Sequence, residues 1–485
     1  WKSGVSDITG DNAIFQKIKN SQWELKNYFN QLYTKEKYTW GIRLYIRYTH
    51  CPASLTVAHR NLPILFADNM LIANCIYHRN ELSSPDNISE NTYRTVIGQT
   101  HESILAEYEE MNTGNAYTDN VLYGMRKING VNYQLTGGFC GELSSVKQEN
   151  AYSAHSYSFY TVPRIEWERN DFLFTAATTV RWSHLPKQSY SRFCVSPFFC
   201  FRYKFTPRWK MSLLGSLDES EGGLKDIYPF RYREDYRTVV KHTGKVPVTV
   251  RQLYTCYLEY KNTIKEFFWT LSASYSHNRY NLITERNYKD GNFYLSSVER
   301  NHSSHSYTLN TIGSKGIYDW NLKTSLELTL ARNEGKQLNE GIVQDYRYDY
   351  LCIEPKIVWA PSVFFEAEYK ATVSCVGGGI GEDTSLDPLW EVAQRLTLSL
   401  EFHDTEFRLS GEHFYNDLSK NQHLNIWLAD VSLIHKVGKW RFAASAINLF
   451  NKEQYRYTLY SAVQSYTSWI KLRPREFMVS VQYQW

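Results

Sequence analysis

The chain has 485 residues, a formal net charge of +4 and a mean hydropathy of -0.49. It has no run of about 18 uninterrupted apolar residues, which excludes helical membrane spans, and its mixed charges lack a basic stripe, so no nucleic acid is expected as a partner. The eight cysteines are scattered without a CxxC pair. That argues against a zinc site and leaves them as small space-filling residues, with no cofactor expected. Aromatics are the anomaly, at 16% of the chain. A transmembrane β-barrel uses such an excess, because Tyr and Trp form girdles at both membrane interfaces.

In chain order, Trp1-Lys2-Ser3-Gly4 has neither an initiator Met nor an apolar core and is not a secretory signal, so the chain is expected to be processed or a fragment. Residues 1–117 form a less regular part in which 23–33, 40–49, 54–60 and 65–78 are expected strands. From 118 to 485 the alternation is clearer and marks the C-terminal part of the same barrel. In 193–205, Phe193, Val195, Phe199, Phe201, Tyr203 and Phe205 oppose Arg192, Ser196, Arg202 and Lys204. In 266–276, Phe267, Trp269, Leu271, Ala273 and Tyr275 oppose Glu266, Thr270, Ser272, Ser274 and Ser276. In 318–331, Trp320, Leu322, Leu326, Leu328 and Leu330 oppose Lys323, Ser325 and Glu327, and in 396–403 Leu396, Leu398, Leu400 and Phe402 oppose Thr397, Ser399, Glu401 and His403.

Strands of about 10–13 residues at their longest suffice to cross a bilayer at a tilt. Short turns are expected at 127–130, 168–171, 205–208, 261–265, 360–362, 403–405 and 436–439, and long loops at 218–250, 278–302, 332–349, 376–391 and 451–474. The fold expected is an all-β, antiparallel transmembrane barrel of about 20–22 strands, with short periplasmic turns, long extracellular loops and a polar lumen. About 17 of the strands are expected in 118–485.

Candidate ligand-binding residues lie in two of the loops. The first brings Tyr228, Phe230, Arg231, Arg233 and Tyr236, and the second brings Tyr288 and Tyr294. Rings beside guanidinium groups suit a sugar or a peptide; the same residues also suit a packed loop folded over the barrel mouth. Arg202, Lys204, Glu259, Lys261, Glu266, Lys323, Glu327 and Glu401 are expected on the lumen wall, either holding a plug or forming a hydrated surface. Gly377-Gly378-Gly379-Ile380-Gly381 lacks the Lys and Ser/Thr of a phosphate loop and reads as a surface loop. His302 and His305 are three apart on a strand, face opposite sides and make no catalytic or metal pair.

At the end of the chain Phe477, Val479, Val481, Tyr483 and Trp485 share one face. They suit a lipid-facing closing strand and resemble the C-terminal signal read by the barrel assembly machinery. Asn448-Leu449-Phe450-Asn451-Lys452, Tyr455, Tyr457 and Leu472-Arg473-Pro474-Arg475-Glu476-Phe477 resemble the last hairpin of TonB-dependent outer-membrane receptors, in the spelling of their Bacteroidota, SusC-like branch. Phe205-Thr206-Pro207-Arg208-Trp209, Asp226-Ile227-Tyr228-Pro229-Phe230 and Asn262-Thr263-Ile264-Lys265-Glu266-Phe267-Phe268 look like the same group. The resemblance implies a non-enzymatic barrel in the outer membrane of a Gram-negative bacterium, importing a bulky nutrient such as a glycan or peptide. It also implies a plug domain, TonB and a SusD-like surface lipoprotein as partners, besides outer-membrane lipid. No plug domain or energy-coupling box is found in this sequence, and both are expected upstream or on another chain. A structural or assembly-complex barrel and a passive porin remain the alternatives.

Overall fold

The computed structural model describes residues 2–6, 13–35, 38–60, 105–147, 151–234, 238–289, 292–381, 384–419, 422–460 and 465–483. The expected strand at 65–78, and Cys75 in it, lie outside these residues.

The strands are β1 (Lys2–Ser6), β2 (Ala13–Asn20), β3 (Trp23–Lys35), β4 (Tyr38–Arg60), β5 (Leu105–Ile128), β6 (Val131–Lys147), β7 (Ala151–Arg169), β8 (Phe172–Leu185), β9 (Tyr190–Lys204) and β10 (Trp209–Glu221). A four-residue helix α1 (Leu224–Ile227) and the short β11 (Tyr232–Arg233) and β12 (Thr238–Lys241) follow. Then come β13 (Val248–Asn262), β14 (Phe267–Lys289), β15 (Asn292–Ile317), β16 (Leu322–Asn339), β17 (Ile342–Ser362), β18 (Phe365–Ile380), β19 (Thr384–Phe402), β20 (Thr405–Ser419), β21 (Gln422–Val437), β22 (Trp440–Ile447), β23 (Gln454–Tyr460), β24 (Ser465–Lys471) and β25 (Glu476–Tyr483). The large sheet has 23 strands, and β23 with β24 makes a separate hairpin. Apart from β11 and β12, the large sheet has 21 antiparallel strands, which form a meander once β2 and β3 are taken end to end. Those expected in 118–485 correspond to β5–β10, β13–β22 and β25.

β2 and β3 continue one another. Asn20 pairs with Ala53 and Trp23 with His50, in the same register along β4. The ladder breaks opposite Pro52, whose nitrogen has no hydrogen to donate, and Ser21 N–H reaches the Pro52 carbonyl at 3.2 Å. The two segments expected at 40–49 and 54–60 are therefore one strand, β4. β25 pairs with β22 along one edge and β3 with β4 along one edge, and no pairing joins β25 to β3 among the described residues.

On one side of the sheet, connections of two to four residues join the strands. Asn129 and Gly130 both have positive φ, 48° and 83°, the Asn-Gly signature of a hairpin turn whose twist matches its strands. The expected loops at 278–302, 332–349 and 376–391 are corrected by the structure: apart from the tips, their described residues are mostly ladder. Two residues separate β14 from β15 and β16 from β17, and three separate β18 from β19. Strands reach 26 residues, twice the expected length, because they continue beyond the membrane as ribbons whose facing backbone groups bond each other while the outward ones meet water. Trp320, expected on a strand, sits in a 3-10 turn at Tyr318–Trp320. Asn321 ends that turn in the left-handed region at φ 47°.

Register sorts the side chains into two faces. Leu326 pairs with Gly313 and Pro355, Leu330 with Leu309 and Leu351, Leu396 with Tyr369 and Gly411. These apolar rows are solvent-exposed in the isolated chain, Leu326 at 50% and Leu396 at 44%. Aromatic rows bound them. Trp209 contacts Tyr260 and Trp269 at 4.8 and 5.9 Å on the short-turn side, and Tyr275 contacts Tyr254 and Tyr307 at 6.5 and 5.1 Å toward the other. An outward apolar band between two girdles of rings is stable only against hydrocarbon.

Candidate binding site at the barrel mouth

The longer connections gather at one end, and there the described residues build a hydrophobic core. Ile227, Tyr228, Tyr232, Val240 and Val246 from the 222–247 connection pack with Val146, Tyr152, Ala154 and Leu185 from β6–β8. The segment starts with α1, where Gly223 N–H donates to Asp226 Oδ2 at 2.9 Å. Tyr152 organises the rings: Tyr228 lies 5.8 Å and Phe230 6.2 Å away, both edge-on. On its other side Lys187 Nζ sits 3.6 Å above the Tyr152 ring, and Gln188 Nε2 donates to its hydroxyl at 2.7 Å. Burial raises the phenol pKa of Tyr152. That of Tyr232 is pushed up to about 12, by burial first and then by the carboxylates of Glu234 and Asp226.

The β14–β15 ribbon leans over this core. Its register shifts between Tyr280 and Leu282. Beyond the shift β15 pairs in parallel with β12 (Thr238 opposite Phe293), and β14 pairs in parallel with β16 (Glu285 opposite Leu338). Below the shift the order is β13-β14-β15-β16, so the tip has turned over and exchanged sides. Two-stranded ribbons twist strongly, and a shifted register gives the turn a place to begin.

The loop candidates divide accordingly. Tyr228 is a core residue, 2% exposed. Phe230 is partly exposed, Arg231 stacks its guanidinium 5.0 Å over the Tyr294 ring, and Arg233 Nη1 donates to Asn292 Oδ1 at 3.2 Å. Tyr288 and Phe293 are exposed and in ring contact at 5.2 Å. The structure thus brings Phe230, Arg231, Arg233, Tyr288 and Tyr294 into one surface where loop and tip meet. Tyr236 lies outside the described residues. The sequence reading missed Tyr152, Lys187 and Gln188, which lie on other elements and reach the cluster only through folding.

The lumen candidates mostly fall on the inward face. Glu259 is opposite Lys210, and their charged ends meet at 2.8 Å. Lys204 is opposite Lys210 on the other side. Arg202 and Lys323 are exposed on the same face, and Lys261 lies 6.0 Å from the Phe268 ring. Glu327 accepts from Asn310 at 2.8 Å and is directly opposite Glu354. Glu401 is directly opposite Glu406, and Lys356 opposite Lys370. Glu266 departs from expectation. It sits in the turn before β14 at φ 43°, its carbonyl accepting from Gly316 N–H at 3.0 Å, at the rim and not on the wall. A further lumenal group went unnoticed in the sequence: Asp119 accepts from Tyr160 at 2.8 Å and pairs with Arg43 at 3.4 Å. Arg43, Tyr45 and Arg47 alternate along β4, a signal for an inward polar face.

His302 and His305 separate as expected. His302 stacks on Tyr280 at 4.8 Å and His305 on His277 at 4.6 Å. Phe477, Val479, Val481 and Tyr483 continue the outward rows, with Trp440 against Tyr483 at 4.8 Å, and Trp485 lies outside the described residues.

An antiparallel meander with an apolar outer band, ring girdles and a charged inner wall defines a transmembrane β-barrel of the outer-membrane type. No protein-family model and no curated protein matches the chain. Among solved structures it is similar to the ferric yersiniabactin uptake receptor FyuA from Yersinia pestis, at 8% identity and a TM-score of 0.37, covering 99% of this chain and 76% of that one. It is similar also to the copper transporter OprC, at 8% identity and a TM-score of 0.41, covering 97% and 81%. The ferric-catecholate import receptor Fiu from E. coli K12 in its closed form gives 10% identity and a TM-score of 0.37, covering 99% and 78%.

Proposed function

We propose that this chain is the barrel of a TonB-dependent-receptor-like transporter in the outer membrane, importing a bulky nutrient through a lumen that a plug domain occupies. The observation that carries the proposal is the inner wall. Glu327 faces Glu354 with no ion pair to either among the described residues, whereas Glu406 pairs with Arg408, Lys356 and Lys370 share Glu368, and Lys210 pairs with Glu259. Like charges directly opposite on neighbouring strands repel, and a folded occupant of complementary charge relieves that repulsion. The plug, whether from another part of the polypeptide or another chain, is that occupant. TonB acts on the plug, and the resemblance of the last hairpin to the SusC-like branch supports a SusD-like lipoprotein at the mouth and a glycan or peptide as cargo. The surface formed by Phe230, Arg231, Arg233, Tyr288 and Tyr294 is the proposed first contact for that cargo. Barrel assembly machinery reads the β25 end.

Single-channel conductance of the folded chain in a planar lipid bilayer tests this. A large steady current, shifted in ion selectivity by Glu327→Gln with Glu354→Gln, is the expected result. Absence of current from an inserted, folded barrel would mean that its own residues fill the lumen, and the plug proposal fails. The burial of Tyr228 and Tyr232 favours a second reading, a structural barrel whose mouth is scaffold. In that case Arg231→Ala with Tyr288→Ala leaves uptake of every cargo unchanged.

A further inference from the structure

The register shift of the β14–β15 ribbon re-aims side chains beside the barrel mouth. Tyr280 pairs with His302 and Leu282 with Glu299, so Arg300 and Asn301 stand together against Asn281 alone. Such a two-against-one bulge bends its strand and turns a side chain out of the regular alternation. Asn281 fixes the place of the shift: its Oδ1 accepts from Val248 N–H at 2.7 Å and its Nδ2 donates to the Val246 carbonyl at 2.9 Å. A second irregularity lies on β9. The β9–β10 ladder ends at Phe198 and Ser216, next to Pro197, which has no hydrogen to donate. Toward the mouth β9 then follows β8 and β10 follows β13. The upper part of β9 and the bulged ribbon border one cleft of about 840 Å³.

The floor of the cleft is apolar: Val248 and Ile283 are buried, and Val250 and Val343 extend it. Tyr190 adds a ring, as does Tyr280 with His302 stacked on it at 4.8 Å. Among the described residues the charged side chains that line it are Arg192, Arg279, Arg300 and Lys336, all cationic. The carboxylates around the cleft are matched one for one. Arg192 pairs with Glu219, Lys336 with Asp345 at 3.5 Å and Lys245 with Glu299 at 3.3 Å. Glu221 is balanced by Arg181, both beside Cys194. On the neighbouring rows Glu334 and Asp349 balance Arg332 and Arg347. Arg279 lies opposite Val250 and Ser303, which carry no charge. Arg279 and Arg300 are thus left without an ion pair among the described residues, and their two positive charges remain.

An occupant must answer the two guanidinium groups, the apolar floor and the polar rim together. Guanidinium forks bind carboxylates bidentately. Asn301 and Ser303 both donate and accept, as sugar hydroxyls require. An extended peptide needs a free strand edge, and beyond the shift both edges of the ribbon are taken, β15 by β12 and β14 by β16. The volume lies within the range of pockets that hold one small ligand. We propose that this cleft binds an acidic oligosaccharide, its uronate carboxylate on Arg279 and Arg300 and a sugar ring over Val248, Val250 and Ile283. The assignment rests on the importer reading and narrows its cargo to an anionic glycan.

The test is isothermal titration calorimetry of the folded chain in neutral detergent, with trigalacturonic acid and with its full methyl ester, which keeps the sugar and removes the charge. The expected result is saturable binding of the acid and at least about tenfold weaker binding of the ester. Arg279→Gln with Arg300→Gln gives a loss of similar size for the acid. Val250→Trp, which fills the cleft from its apolar side, also weakens binding while the heat-modifiable electrophoretic mobility of a folded barrel persists. No binding of the acid, equal binding of acid and ester, or binding unaffected by the double arginine variant overturns the proposal. So does equally tight binding of hexaglutamate, which would show a site that reads charge and no sugar. The titration needs neither plug nor transport. A conducting barrel that fails it loses the acidic-glycan site and keeps the importer reading, whereas a barrel that binds the acid and passes no current loses the plug proposal and keeps the site.

Discussion

Asn448 shows how a single side chain fixes the outer end of the sheet. It is 6% exposed and holds φ at 55°. Its Nδ2 donates to the carbonyls of Lys452 and Arg473, both at 2.8 Å, its Oδ1 accepts from Lys452 N–H at 2.9 Å, and its own N–H donates to Asp430 at 2.8 Å. Asn451 adds an acceptor for Arg475 N–H at 2.9 Å. The Asn-Leu-Phe-Asn motif is thus a clamp that closes the base of the β23–β24 hairpin. Asn448→Ala removes three of these bonds and leaves a non-glycine residue without its local support in the left-handed region. A loss of about 2–4 kcal/mol is expected, read as a lower urea midpoint for unfolding from detergent and as faster proteolysis within 452–473. Tyr232 gives a pH prediction at the same scale. Its folded pKa is raised from 10.0 to about 12, so burial favours the neutral phenol. Its contribution to stability is complete below pH 10 and is lost as the pH rises toward 12. In a titration followed by tyrosinate absorbance, Tyr232→Phe should remove one tyrosine from the late-titrating amplitude and leave the earlier phase unchanged.

At the scale of the element, alternation had clear predictive content because each barrel strand has hydrocarbon on one side and water on the other. Leu326 and Ser325 are adjacent on β16 yet face opposite media. Leu326→Arg places a charge in the apolar band and should cost about 2–4 kcal/mol of folding free energy in lipid, whereas Ser325→Arg should change it by far less. Reversible unfolding from liposomes measures both, and equal costs would overturn the assignment of faces. The short turns at 127–130, 168–171 and 205–208 were legible through their Asn, Asp, Gly and Pro residues. Strand length was not, because beyond the membrane a ribbon faces water on both sides and loses its period-two pattern. The segments 278–302 and 332–349 read as loops for that reason, although backbone pairing continues through them.

For the whole molecule, the decisive feature is that the meander sets two opposed surfaces at once, a lipid-facing exterior and a charged interior. The pair Glu327–Glu354 carries the prediction for this scale. Supplying a basic plug peptide in trans to the conducting barrel should block its current, and Glu327→Gln with Glu354→Gln should weaken that block by about tenfold if some 1.4 kcal/mol of attraction is lost. Block of unchanged strength would assign these carboxylates to a hydrated wall.

The sequence by itself determined the fold class, the two faces and most of the turns. These depend on interactions between neighbours in the chain and on the medium that each side chain meets, and Leu322, Leu326 and Leu330 announce their medium locally. Tertiary structure alone decided which mouth residues are core and which are surface. Tyr228 and Phe230 are two apart and alike in chemistry, yet Tyr228 is buried beneath Tyr152 while Phe230 is partly exposed. It also decided the overturned β14–β15 tip, and the meeting of Arg192, Arg279 and Arg300 around one cleft. Each of these depends on register between strands distant in the chain, and register is fixed by the closing of many ladders together.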